Sequence, residues 1–143
     1  MALTIQLVAS AVLMVVLTLV HAIGIVGVSN LLHIEERALK GRRLDVERMG
    51  LMASLALALF VLHVIEIAIF ALFYIMVGAI GTFEESIFYS AGAYVTLGQP
   101  EVGFPAEWRV LGALEGLAGF LLIGWSVAVL VTDLEKILRR ETL

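Results

Sequence analysis

Between residues 2 and 32 the chain carries no Asp, Glu, Lys or Arg. A helix crosses the hydrocarbon of a bilayer in roughly 20 residues, so this run is longer than one crossing needs, and the surplus predicts tilt or a surface-lying end. A secretory signal peptide would open on a basic region and have a shorter apolar core, and this run does neither. Its small residues Gly24, Gly27 and Ser29 fall at helical spacing, suited to close packing on a neighbouring helix. Two further segments share its character. Residues 50–80 hold one formal charge, Glu66, and residues 110–132 hold one, Glu115. With 62% hydrophobic and 15% charged residues over 143 positions, against about half and a quarter in soluble domains, the expectation is an all-α membrane protein with three transmembrane helices.

The charged residues set the orientation. Residues 33–49 hold Arg37, Lys40, Arg42, Arg43 and Arg48, interleaved with Glu35, Glu36, Asp45 and Glu47. They read as a solvated connection with some helix at each end, the sharper alternative being a ligand-sensing segment. Together with Lys136, Arg139 and Arg140 they hold all of the 9 basic residues except Arg109. By the positive-inside bias the connection and the C-terminus are cytoplasmic, which puts the N-terminus and residues 81–109 outside. Trp108 and Trp125 then fall toward the two interfaces, where amphipathic rings are enriched.

Residues 82–101, TFEESIFYSAGAYVTLGQPE, lie between two spanning segments and are too polar and too short to cross. Thr82 with Glu85 three positions on is a capping box that starts a helix. From 82 to 95 such a helix measures about 21 Å at 1.5 Å per residue. Gly98, Pro100 and Gly103 stop it. A short helix that enters a membrane and returns as irregular backbone is tolerated only where that backbone is buried or lines water. The stretch therefore reads as a pore loop, with Phe88, Tyr89 and Tyr94 as core aromatics around it.

FYSAGAYVTLG, the following Trp108-Arg109 and the spacing Trp108-Arg109-x9-Gly119-x4-Gly124 resemble the pore domain of tetrameric potassium channels in the bacterial ion-channel family. The resemblance covers roughly residues 67–134. It implies a re-entrant pore helix and filter loop between the second and third spans, a homotetramer around a central pore, and a bacterial plasma membrane. It divides the chain into an additional N-terminal helix and cytoplasmic loop, 1–49, and a pore domain, 50–143. Thr96, Leu97 and Gly98 match the start of that family's filter, which reads Thr-x-Gly-Tyr-Gly-Asp. Here Gln99 stands for the Tyr, Pro100 for the second Gly and Glu101 for the Asp. Proline, held near φ −65°, cannot take the backbone angles that glycine permits, so the outer half of a potassium filter does not form in its usual shape.

Thr96 and Leu97 remain to supply inner cation sites, while fourfold assembly makes Gln99 an amide ring and Glu101 a carboxylate ring, which favours cations. The expected cargo is K+ or Na+, with altered K+ preference and divalent binding as a further expectation. Glu115 and Pro100 read as filter supports and Gly119 and Gly124 as a gating hinge. For Glu115, an interhelical pair or a side chain reaching toward water are the plainer readings. For the whole chain, the competing reading is a pore-like fold that conducts nothing.

Ionisable groups at membrane depth are functional candidates. His63 and Glu66 are three apart and share a helix face. Counted from the cytoplasmic ends at ~1.5 Å per residue, His21 lies ~16 Å and His63 ~20 Å up their helices, at similar depth. His21, His63 and Glu66 are candidate ligands for Zn2+ or another transition metal; they are otherwise a hydrogen-bonded cluster joining two helices, or a pH-responsive one. A metal- or proton-responsive membrane protein is thus the alternative to a channel. The 0 cysteines exclude disulfides, thiol catalysis and Cys-based zinc sites. With 3 histidines, no Ser-His-Asp set at one depth and no phosphate-cradling Gly motif, no enzyme is expected. Without a basic patch interleaved with aromatics, neither is a nucleic-acid partner.

Overall fold

The computed structural model describes residues 3–38, 45–98 and 105–139. They form four α-helices in chain order: α1 Leu3–Ala38, α2 Asp45–Met76, α3 Phe83–Tyr94 and α4 Arg109–Arg139, the last preceded by a 3-10 turn at Ala106–Trp108. Three helices are long and apolar enough to cross a membrane, over Leu3–Asn30, Met49–Met76 and Ala106–Asp133. The chain is an all-α integral membrane protein. Gln99, Pro100 and Glu101 lie outside the described residues.

Helix α2 stops at Met76, short of the expected residue 80, and the cause is local. Gly78 sits at φ +68, its N–H donates to Ile75 O at 3.0 Å, and the Ala79 N–H donates to Tyr74 O at 2.9 Å. This is a Schellman cap with glycine in the left-handed position and the following residue packed back on the helix; Ala79 is buried. Thr82 then starts α3. Its hydroxyl oxygen accepts from the Glu85 N–H at 3.3 Å and its hydroxyl donates to the Glu85 carboxylate at 2.9 Å.

Helix α3 runs antiparallel down α2, and its polar side chains mark the path. Ser86 donates to Ala71 O at 2.6 Å, Ser90 to Ile67 O at 2.9 Å, and Tyr94 reaches Glu66 and His63. Each step of four residues on α3 matches about four on α2, so α3 ends beside the middle of the Met49–Met76 span. Ser86, Tyr89, Ser90, Ala93 and Tyr94 form its buried face. Phe88 corrects the expectation of a core aromatic: it lies on the opposite face and is 71% exposed.

The bundle has one main core, in which Leu13 and Leu17 of α1 meet Phe70 and Tyr74 of α2, Tyr89 and Tyr94 of α3, and Leu111 and Leu122 of α4. Residues before and after position 50 thus share a core. Lipid tails are as apolar as leucine, so close packing and interhelical hydrogen bonds must hold such a bundle together. Two glycines serve the packing. A Cβ on Gly24 would strike the Leu62 side chain, and one on Gly119 would strike the Tyr94 carbonyl. Gly27 and Gly124 have nothing within 4 Å of that position. At the start of α4, Trp108 is buried, its ring edge-on to Phe73 at 5.5 Å. Gln6 of α1 accepts the Val110 N–H at 3.1 Å, which satisfies one donor of that helix's first turn.

Candidate functional site

Three polar features occupy the interior and the end of α3. The first joins α2, α3 and α4. Glu115, with no exposed surface, accepts the Tyr74 hydroxyl at 2.6 Å and a hydrogen bond from Ser90. Ser90 has one hydroxyl proton for two acceptors, Glu115 and Ile67 O, and so ties both neighbouring helices to α3.

The second feature lies deeper and joins all four helices. His21 and Glu66 are fully buried. A carboxylate only accepts, so each imidazole presents its Nδ1–H: His21 to Glu66 Oε1 at 2.8 Å and His63 to Glu66 Oε2 at 2.9 Å. Tyr94 O–H donates to the same Oε2 at 2.5 Å, and His63 Nδ1 is 3.0 Å from the Tyr94 oxygen. Ser126 Oγ is 3.4 Å from His21 Nε2, and the Trp125 ring lies 5.0 Å from the His21 ring. Three donors converging on one carboxylate offset much of the cost of burying it.

The third feature is the turn that ends α3. Val95 is the C-cap, Thr96 adopts φ +59 and Gly98 φ +86. The Thr96 N–H donates to Ala93 O at 2.9 Å and the Leu97 N–H to Gly92 O at 3.0 Å, a second Schellman cap. Its left-handed residue is a β-branched threonine, a backbone outlier for that residue type. Leu97 is 83% exposed. Beside the turn lies a groove against the first half of α4, lined by Thr96, Arg109, Gly112, Gly116, Leu117 and Phe120.

Of the residues singled out from sequence, His21, His63 and Glu66 come together as one cluster, and Glu115 meets Ser90. Thr96, Leu97 and Gly98 share the α3 turn, Gly119 packs under Tyr94, and Gly124 lies on the uncovered face of α4. Sequence reading missed Gln6, Tyr74 and Ser126 as partners. A tyrosine within the apolar run was the available signal, because a buried hydroxyl needs an acceptor.

Fold and site together define an all-helical integral membrane protein with a short internal helix and a site built on two of its buried carboxylates, Glu66 and Glu115. The chain matches no protein-family model, and it has no match among characterised proteins or solved structures.

Proposed function

We propose that this chain is the subunit of a homotetrameric cation channel, with α3 as a re-entrant pore helix and residues 96–101 as its filter segment. The observation that carries the reading is the place where α3 ends. Its last turn stands beside the middle of a spanning helix (Tyr94 on Glu66 and His63), and the non-helical backbone that follows is exposed at Thr96, Leu97 and Gly98. Irregular backbone at that depth is stable only when covered by protein or facing a water-filled cavity.

One copy supplies no such cover, whereas several copies around an axis supply both. The C-terminal end of a helix carries partial negative charge, which favours a cation near the turn. Glu115 holds α3 to α2 and α4 and so keeps the turn at that depth. The uncovered stripe Leu117, Phe120, Val127 and Val131 on α4 gives a neighbouring copy an apolar face to meet. Gln99 and Glu101 would add amide and carboxylate rings at the outer end, with K+ or Na+ as cargo.

The test is reconstitution of the purified chain into liposomes, with K+ and Na+ flux measured beside the particle's subunit count. Four subunits with cation flux that falls at least tenfold in Thr96→Val support the reading. A monomeric particle, or no flux of either ion, overturns it.

A further inference from the structure

The pore reading uses Glu66 and His63 only to mark the depth at which α3 ends and His21 not at all, yet the donor atoms of all three suit a metal. We propose that these three side chains bind one Zn2+ per chain, inside the helical bundle between α1 and α2. The inference stands apart from conduction and survives if the pore reading fails.

One ligand atom from each residue lies within 4.8 Å of the others. Two imidazoles and one carboxylate form a set that zinc accepts with a fourth position left to water. Ca2+ and Mg2+ take mostly oxygen ligands and in greater number, so the set disfavours them. Ligand atoms about 2.0–2.2 Å from a tetrahedral ion stand ~3.4 Å apart. The contacts of 2.8 and 2.9 Å to Glu66 must therefore open by about half an ångström, a movement that side-chain torsions supply.

The surroundings suit the bound state as well. Coordination through Nδ1 moves each imidazole proton to Nε2, with no net proton released. His21 Nε2–H then faces Ser126 Oγ, now 3.4 Å away, and a metal-bound imidazole characteristically donates its second N–H to such an acceptor. Tyr94 can keep donating to the Glu66 oxygen that the ion does not take. A divalent ion also compensates the carboxylate's buried charge, which three neutral donors only solvate. His63 stands at the edge of the cluster, its side chain 18% exposed while those of His21 and Glu66 are at 0%.

The experiment uses the full chain in detergent, stripped with chelator and titrated with ZnCl2 by calorimetry and with CoCl2 by visible absorption. The expected result is one ion per chain and the intense d–d bands of tetrahedral Co2+. His63→Gln should weaken Zn2+ binding at least 100-fold with helix content unchanged, and His33→Ala should bind as the parent does. X-ray absorption on the zinc-loaded parent needs no variant and should show two imidazole shells. Absence of stoichiometric binding, full binding by His63→Gln, loss in His33→Ala, or fewer than two imidazoles at the metal would each overturn the site.

Discussion

Thr96 holds a backbone conformation that its β-branched side chain resists. A left-handed residue costs roughly 1–2 kcal/mol relative to glycine, and such outliers persist where something beyond stability retains them. Thr96→Gly should therefore raise the stability of the chain by about 1 kcal/mol in detergent unfolding and, on the channel reading, lower cation flux by removing the hydroxyl. A variant both no more stable and fully conducting would show that the threonine is neither strained nor used. The buried carboxylates make a separate prediction. Tyr74→Phe removes one donor from Glu115 and should cost about 1 kcal/mol, near the measured worth of interhelical hydrogen bonds in membranes. Glu115→Ala strands the Tyr74 hydroxyl and opens a cavity, so about 2–3 kcal/mol is expected. Equal losses for the two variants in the same unfolding assay would mean that the stranded hydroxyl and the cavity add nothing beyond the lost bond.

At the scale of elements, two glycines do opposite jobs. Gly78 has open space where a Cβ would stand, but a φ of +68; Gly119 lies within α4, where a Cβ would meet the backbone of Tyr94. Gly78→Ala should thus cost about 1 kcal/mol of backbone strain and leave α3 in place. Gly119→Ala should cost about 1–3 kcal/mol as overpacking and push α3 away from α4, altering Tyr94 fluorescence as Gly78→Ala does not. Unchanged fluorescence in Gly119→Ala would deny the close approach. These two sites also mark how far the sequence could be read. Long runs with at most one formal charge reveal spans because hydrocarbon makes each charge costly along a whole helix, so all three were legible, as was the Thr82–Glu85 cap, whose partners are neighbours in sequence. The end of α2 was misplaced although Gly78 was in view, because glycine in an apolar run reads equally as a packing surface. The convergence of His21, His63 and Glu66 was legible from depth alone. Tyr94 and Ser126 as their partners were not, since that depends on which way α3 and α4 are turned about their axes. Phe88 failed for the same reason: aromatic character says that a side chain is apolar, not which face of a short helix it occupies.

At the scale of the whole molecule, the single chain leaves the α3 turn and the Leu117–Phe120 face of α4 without cover, while the outer face of α1 is also apolar and exposed at Leu19 and Ile23. Lipid can cover a smooth apolar helix face. It cannot cover exposed peptide groups, so the two surfaces must meet different surroundings in a membrane. The absence of cysteine from the sequence makes this difference directly measurable. Single substitutions Thr96→Cys, Leu97→Cys, Phe120→Cys and Ile23→Cys each place one thiol in the chain, and a charged, water-soluble thiol reagent reacts only with those that water reaches. In lipid vesicles, Thr96→Cys and Leu97→Cys should be modified at least tenfold faster than Ile23→Cys, with modification stopping cation flux. Phe120→Cys, on the face assigned to a neighbouring copy, should form an intermolecular disulfide under mild oxidation. A thiol at 96 or 97 as unreactive as the one at 23 would mean that no water stands before the turn, and the axial pathway would have to be abandoned whatever the particle's subunit count.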